Sequence, residues 1–172
     1  MDKLKNKKCG SCKQVKSLSN FAMERQKKDG YSYYCRSCKN KKDVEYRSTE
    51  IGYMKARYHK MYRKQKATKR LLTFEEFMAA WEKHKSIYGM KSAWGPGVHN
   101  LEQHKPITMI CSGKGEAKRI ESNLSIDRLD SSKDYMVQNI IFIRVDENSR
   151  KKDTSYKDCK IHIKLHEERF GK

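Results

Sequence analysis

Asn123–Lys152 reads NLSIDRLDSSKDYMVQNIIFIRVDENSRKK, and how this stretch is parsed decides the fold. Leu124 and Ile126 alternate with polar neighbours, the period of a half-buried strand, which places Asp127 at its end. Asp130-Ser-Ser-Lys133 is turn chemistry, and Ile140 to Ile143 form a second apolar run short enough for a strand. From Arg144 to Lys152 the chain is polar and basic, in keeping with a short helix that carries Asn148. The product is a β-hairpin followed by a helix. In that geometry a strand-end carboxylate and a helix amide can meet on one divalent ion, and a hard ion such as Mg²⁺ or Mn²⁺ takes oxygen ligands of this kind. Taken singly, Asp127 would pass for a turn carboxylate and Asn148 for an exposed helix residue.

Upstream, Thr73-Phe-Glu-Glu76 is a capping box, with the Thr hydroxyl at the helix start and the Glu reaching back. Phe74, Phe77, Met78, Trp81 and Tyr88 trace the apolar face of a helix that ends near Gly89. Trp94-Gly-Pro-Gly97 breaks regular structure and opens a loop. His99 and His104 follow as isolated histidines, and Cys111 and Cys159 lack a CxxC partner. Downstream, Lys160–His166 alternates polar and apolar, as a strand does, although Ile161, Leu165 and Phe170 also suit a helix.

The N-terminal 40 residues carry a second signal. Cys9-Gly-Ser-Cys12 and Cys35-Arg-Ser-Cys38 are two CxxC pairs separated by 22 residues. Each pair turns tightly enough to offer two thiolates, and Cys9, Cys12, Cys35 and Cys38 together complete a closed tetrahedral Zn²⁺ site. Lys8, Lys13, Arg36 and Lys39 flank them and favour the thiolate form. Asp29-Gly30 between the pairs is a hairpin turn, and Leu18 with Phe21 is the expected miniature core. Zinc here is structural, and its binding supplies much of the folding free energy of so small a unit.

Residues 40–72 hold 11 Lys and Arg against 3 Asp and Glu, with no proline and a single glycine, so helix is the expected state. Ile51, Met54, Tyr58 and Met61 recur at helical spacing, while Lys55, Arg57, Lys60, Arg63 and Lys64 project around the rest. These cations are the expected phosphate contacts to double-stranded DNA, with Tyr46, Tyr53 and Tyr62 available to sugar or base.

The totals bound the partner. The chain of 172 residues carries a formal charge of +19, and residues 1–72 hold 22 Lys and Arg against 6 Asp and Glu. A surface of that sign attracts a polyanion and releases its counterions on binding. A charged fraction of 35% and a mean hydropathy of −1.03 argue against one large core and for several small units. No apolar run is long enough to span a bilayer and no signal-peptide core precedes the first CxxC, so no membrane partner is expected and the expected compartment is the cytoplasm.

The string Ser125-Ile-Asp-Arg-Leu-Asp130, followed by Lys133-Asp-Tyr135, Asn139-Ile140 and Asn148, resembles the HNH endonuclease family. It is nearest the phage branch written roughly SIDRID-x-x-KGY-x-x-x-N-V with a late Asn, and Ile107-Thr-Met109 and Gly113-Lys-Gly115 resemble that branch's lead-in. The likeness covers about residues 105–152, and an N-terminal zinc ribbon is a common companion of such nucleases. The resemblance implies an α+β chain in three parts: a zinc ribbon over 1–40, a basic helical DNA-binding connector over 41–72, and a ββα-metal (His-Me finger) nuclease domain over 73–172. It implies a phage-borne or homing-type enzyme that hydrolyses DNA phosphodiesters, with Asp127 and Asn148 holding Mg²⁺ and Asn139 bracing the loop. Arg128 stands where most members carry the general-base histidine, and an arginine that stays protonated serves a phosphate better than it deprotonates water. Asp134 replaces the branch's usual glycine.

Overall fold

The computed structural model describes residues 6–63, 72–96, 102–111, 119–131, 133–150 and 156–171, and of 156–159 and 162 it describes the backbone alone. Lys64, His99 and Gly113-Lys-Gly115 lie outside the described residues, as do the side chains of Cys159 and His162. The chain divides into two compact units, Met1–Ser48 with Cys111–Lys118, and Thr49–Ile110 with Arg119–Lys172. The basic connector of the sequence, 41–72, therefore contributes to both.

The first unit is two small antiparallel ribbons and a helix. Strand β1 (Asn6–Lys8) pairs with β2 (Val15–Ser17) across the first CxxC turn, in which Lys13 takes a φ of 61°. Strand β3 (Phe21–Met23) pairs with β4 (Tyr31–Cys35), and Gly30 closes their connection at a φ of 74°, a backbone region that glycine enters without strain. Helix α1 (Arg36–Ser48) follows and buries no residue. The core here is Phe21 with Cys9 and Cys35, bordered by Tyr31 and Cys38. Leu18 is only half-buried, because it sits in a 3₁₀ turn (Leu18–Asn20) and leaves Phe21 to fill the interior alone.

The second unit holds α2 (Glu50–Arg63), α3 (Phe74–Tyr88), β5 (Leu124–Arg128), β6 (Ile140–Arg144), α4 (Val145–Arg150) and α5 (Tyr156–Phe170). The capping box at Thr73 and Glu76 is formed in both directions, at 3.1 and 2.8 Å, and α3 ends at Gly89 with a φ of 62°. Strands β5 and β6 pair antiparallel from Leu124 opposite Arg144 to Arg128 opposite Ile140. On one side of β6, Phe142 meets Phe77, Trp81 and His84 of α3. On the other side, Ile141 and Ile143 pack with Ala93 and Trp94, and Ile161 and Leu165 of α5 lie against them.

Two local expectations are corrected. The C-terminal segment is a helix and not a strand: Ile161 and Leu165, four apart, share one face against the Ile141–Ile143 cluster, and a strand would have turned alternate residues away from it. The buried face of α2 comprises Gly52, Tyr53, Met54, Tyr58 and Met61, whereas Ile51 is 46% exposed. Tyr53 replaces it because its hydroxyl donates to the backbone carbonyl of Leu124 at 3.1 Å, drawing that face towards β5. Among the described residues, no helix is long and apolar enough to cross a membrane.

Candidate functional site

The four cysteines converge. One sulfur from each of Cys9, Cys12, Cys35 and Cys38 lies within 4.8 Å of the other three. A zinc–sulfur bond of about 2.3 Å in a tetrahedron requires sulfurs about 3.8 Å apart, so the cluster fits one such ion after a small contraction. The first CxxC sits in the β1–β2 turn and the second spans the junction of β4 and α1, which is why residues distant in sequence meet. Backbone N–H groups already point at the sulfurs: that of Cys35 donates to Cys9 Sγ at 3.3 Å and that of Ser11 at 3.4 Å. The Cys35 amide is the main reason that the Cys9 thiol is lowered to about 6. Cys35 is also lowered, chiefly by the Ser37 hydroxyl 3.2 Å away, and Lys16 Nζ lies 3.8 Å from its sulfur. Cys38 is pushed up to about 11 by the neighbouring Cys35 sulfur, then by burial. A divalent cation held by the four sulfurs would offset the charge of the thiolates.

In the second unit, Asp127 and Asn148 line one cavity of about 250 Å³, with Ser125, Ile126, Tyr135, Arg57, Lys60 and Met61. Strand alternation puts Ser125 and Asp127 on the same side of β5. The Asn148 amide donates to the Ser125 hydroxyl at 2.7 Å and, at 3.4 Å, to the Ile126 carbonyl. The Ile126 carbonyl only accepts and so calls for the NH₂ end of the amide at that side, and the Ser125 hydroxyl accepts from the same NH₂. The orientation leaves the Asn148 carbonyl oxygen, with the Asp127 carboxylate, as the oxygen donors for a hard cation. Two protein oxygens with the remaining positions held by water is a ligand count that Mg²⁺ tolerates.

Arg128 and Asn139 are held by the loop between the strands. The Arg128 guanidinium lies 5.3 Å from the centre of the Tyr135 ring and donates to the Lys133 carbonyl at 2.9 Å. It alternates with Asp127 along β5 and is not among the residues that line the cavity. Burial raises the Tyr135 phenol above its ordinary range; Arg128 opposes this and Asp127 adds to it. Asn139 is buried and accepts from the Asp130 amide at 2.8 Å while donating to the carbonyls of Asp130 and Asp134 at 3.0 and 2.9 Å. One side chain thereby ties the start of the 130–139 loop and its middle, at Asp134, to the loop's end.

Of the cations named from the sequence, Arg57 and Lys60 line the cavity beside Asp127, whereas Lys55 and Arg63 are exposed on α2 and do not. Periodicity located these residues on a helix but carried no information about which face meets β5. The described histidines fall elsewhere. His104 Nδ1 lies 2.9 Å from the Ser92 carbonyl and 3.2 Å from that of Trp94, and no described histidine lines the cavity. Neither a family model nor a curated protein matches the chain.

Proposed function

We propose that the chain is a divalent-metal-dependent DNA endonuclease, of the HNH kind that its 125–148 motif resembles, phage-borne or homing-type, with a structural Zn²⁺ at its four N-terminal cysteines. The observation that carries the reading is the single cavity bounded by Asp127, Asn148, Arg57 and Lys60, which joins two oxygen donors to two cations. A bound Mg²⁺ or Mn²⁺ would act there as a Lewis acid on a phosphodiester and lower the pKa of a coordinated water. The chain's own residues perform the rest. Asp127 and the Asn148 carbonyl would hold the ion, Ser125 fixes the amide of Asn148, and Asn139 fixes the loop that follows Asp127. The exposed cations of α2, Lys55 and Arg63, add affinity for the duplex through its phosphates.

A specific observation favours a second reading, a zinc-ribbon nucleic-acid-binding protein without catalysis: Arg128, at the position of the usual general base, is engaged with Tyr135 and Lys133. A supercoiled plasmid incubated with Mg²⁺ or Mn²⁺ separates the two. The endonuclease reading expects nicked or linear product from the wild type and none from Asp127→Ala or Asn148→Ala. Binding without cleavage by the wild type, on DNA and RNA alike, would establish the second reading. Undiminished cleavage by both variants would remove the site from the cavity.

A further inference from the structure

We infer that Arg57 is a catalytic residue of this centre, contacting the phosphodiester that is cut, and that Tyr53 is the residue that positions it. The inference rests on the endonuclease reading and deepens it.

Tyr53 and Arg57 are four apart on α2, and Lys60 is three further on, so all three fall on one helical stripe. The stripe begins at the buried end of the helix, where Tyr53 is 2% exposed. The Tyr53 hydroxyl donates its proton to the Leu124 carbonyl and accepts from Arg57 Nη2. The guanidinium also lies 4.7 Å from the centre of the Tyr53 ring. Ring and hydroxyl together restrain a side chain that otherwise samples many rotamers, and they restrain it against β5, the strand that carries Asp127. Because Leu124 is the first residue of β5, Tyr53 ties the helix to the strand and the arginine to the helix through one oxygen.

The charge balance of the cavity points the same way. Asp127 contributes one negative charge, and Arg57 with Lys60 two positive ones. A divalent ion raises the local excess to three, which suits an anion that gains charge as it reacts. In phosphodiester hydrolysis the water oxygen bonds to phosphorus while a phosphorus–oxygen bond to the sugar breaks. Water supplies OH to the phosphate and its remaining proton to the departing oxygen, and the equatorial oxygens carry the extra charge at the midpoint. A guanidinium presents N–H donors in a fixed fork that matches two such oxygens. Of Arg57's five donors, the hydrogen bonds among the described residues occupy the one at Tyr53. This is the task that sequence position would have given to Arg128, whose guanidinium is turned to Tyr135 and Lys133.

The test separates catalysis from grip with a substrate that has no duplex to grip. Full-length wild type, Arg57→Ala, Arg57→Lys, Tyr53→Phe, Lys55→Ala and Asp127→Ala are compared in Mn²⁺ on bis(p-nitrophenyl) phosphate and on supercoiled plasmid under single-turnover conditions at saturating protein. Plasmid affinity is measured by gel shift in the Asp127→Ala background. Arg57→Ala is expected to slow both reactions about 100-fold, the effect of removing one donor to a developing oxyanion, while plasmid affinity changes less than about threefold. Arg57→Lys recovers part of the rate. Tyr53→Phe loses about tenfold, and Tyr53→Phe with Arg57→Ala is no slower than Arg57→Ala alone, because a positioning residue has nothing left to position. Lys55→Ala weakens plasmid binding in the gel shift. If the wild type turns over only the plasmid, its saturated rate decides. A wild type that cleaves, an Asp127→Ala that does not, and an Arg57→Ala that matches the wild-type saturated rate would overturn the inference and leave the endonuclease reading standing. A wild type inert on both substrates removes the two together.

Discussion

The Asn148 amide donates to the Ser125 hydroxyl at 2.7 Å, which ties α4 to β5 two residues before Asp127. With the longer contact from the same NH₂ to the Ile126 carbonyl, a group that only accepts, it sets the orientation in which Asn148 would offer its oxygen to a cation.

Ser125→Ala removes that tie without touching either proposed ligand. Residues that orient a ligand are typically worth about 10- to 100-fold in metal affinity or activity. The expected outcome is a rise of about tenfold in the Mg²⁺ or Mn²⁺ concentration needed for half-maximal plasmid nicking, with duplex affinity unchanged in a gel shift. An unaltered metal titration would detach Asn148 from the metal.

Asn139→Ala deletes three hydrogen bonds from a residue that is 5% exposed, the one it accepts from the Asp130 amide and the two it donates to the Asp130 and Asp134 carbonyls. Leaving buried polar groups unsatisfied costs about 1–3 kcal/mol each where no water reaches them. Urea unfolding is expected to give a loss of about 2–4 kcal/mol for the second unit, with nicking reduced at temperatures where the fold persists.

The cysteine cluster predicts about one zinc per chain by metal analysis, lost in Cys9→Ser and in Cys35→Ser. Chelation should release the metal and unfold the first unit, since Phe21 is the one large side chain buried among its described residues. Near-ultraviolet signals from Trp81 and Trp94, which belong to the second unit, should change little on chelation.

His84 makes stability depend on pH. Burial lowers its pKa from 6.5 to about 4, opposed by its hydrogen bond with the Lys91 carbonyl, while His104 adds to the lowering. The unfolded chain takes a proton at this residue below about pH 6.5 and the folded chain only below about 4. Its contribution is therefore complete above pH 6.5 and is lost as pH falls from 6.5 to about 4. The full loss is about 3 kcal/mol, since each tenfold change in proton affinity is worth about 1.4 kcal/mol. Subtracting the stability profile of His84→Phe from that of the wild type should isolate the slope; parallel profiles would show that His84 does not titrate in this window.

Much of this fold was legible because its signals are local. The capping box at Thr73 and Glu76, the Asp29-Gly30 turn, and the Leu124–Arg128 and Ile140–Arg144 strands each follow from neighbours within a few residues. The tail failed that criterion. Lys160–His166 satisfies both periods, and α5 won through contacts between Ile161, Leu165 and a cluster on β6 that no local window contains. Ile51 misled for the same reason, since a stripe read along α2 does not say which side faces β5.

By itself the sequence determined one donor set, four thiols in paired CxxC turns, and it placed Asp127 on a strand and Asn148 on the helix after the hairpin. Spacing suffices there, because a CxxC turn or a hairpin brings its own residues together wherever it is placed. Only the tertiary structure decided that Arg57 and Lys60 share a cavity with Asp127 while Arg128, its immediate neighbour, does not line it. The Arg128 guanidinium lies instead over the Tyr135 ring and donates to the Lys133 carbonyl. The packing of α2 on that strand, through Tyr53 and the Leu124 carbonyl, brought in cations from a distant part of the chain.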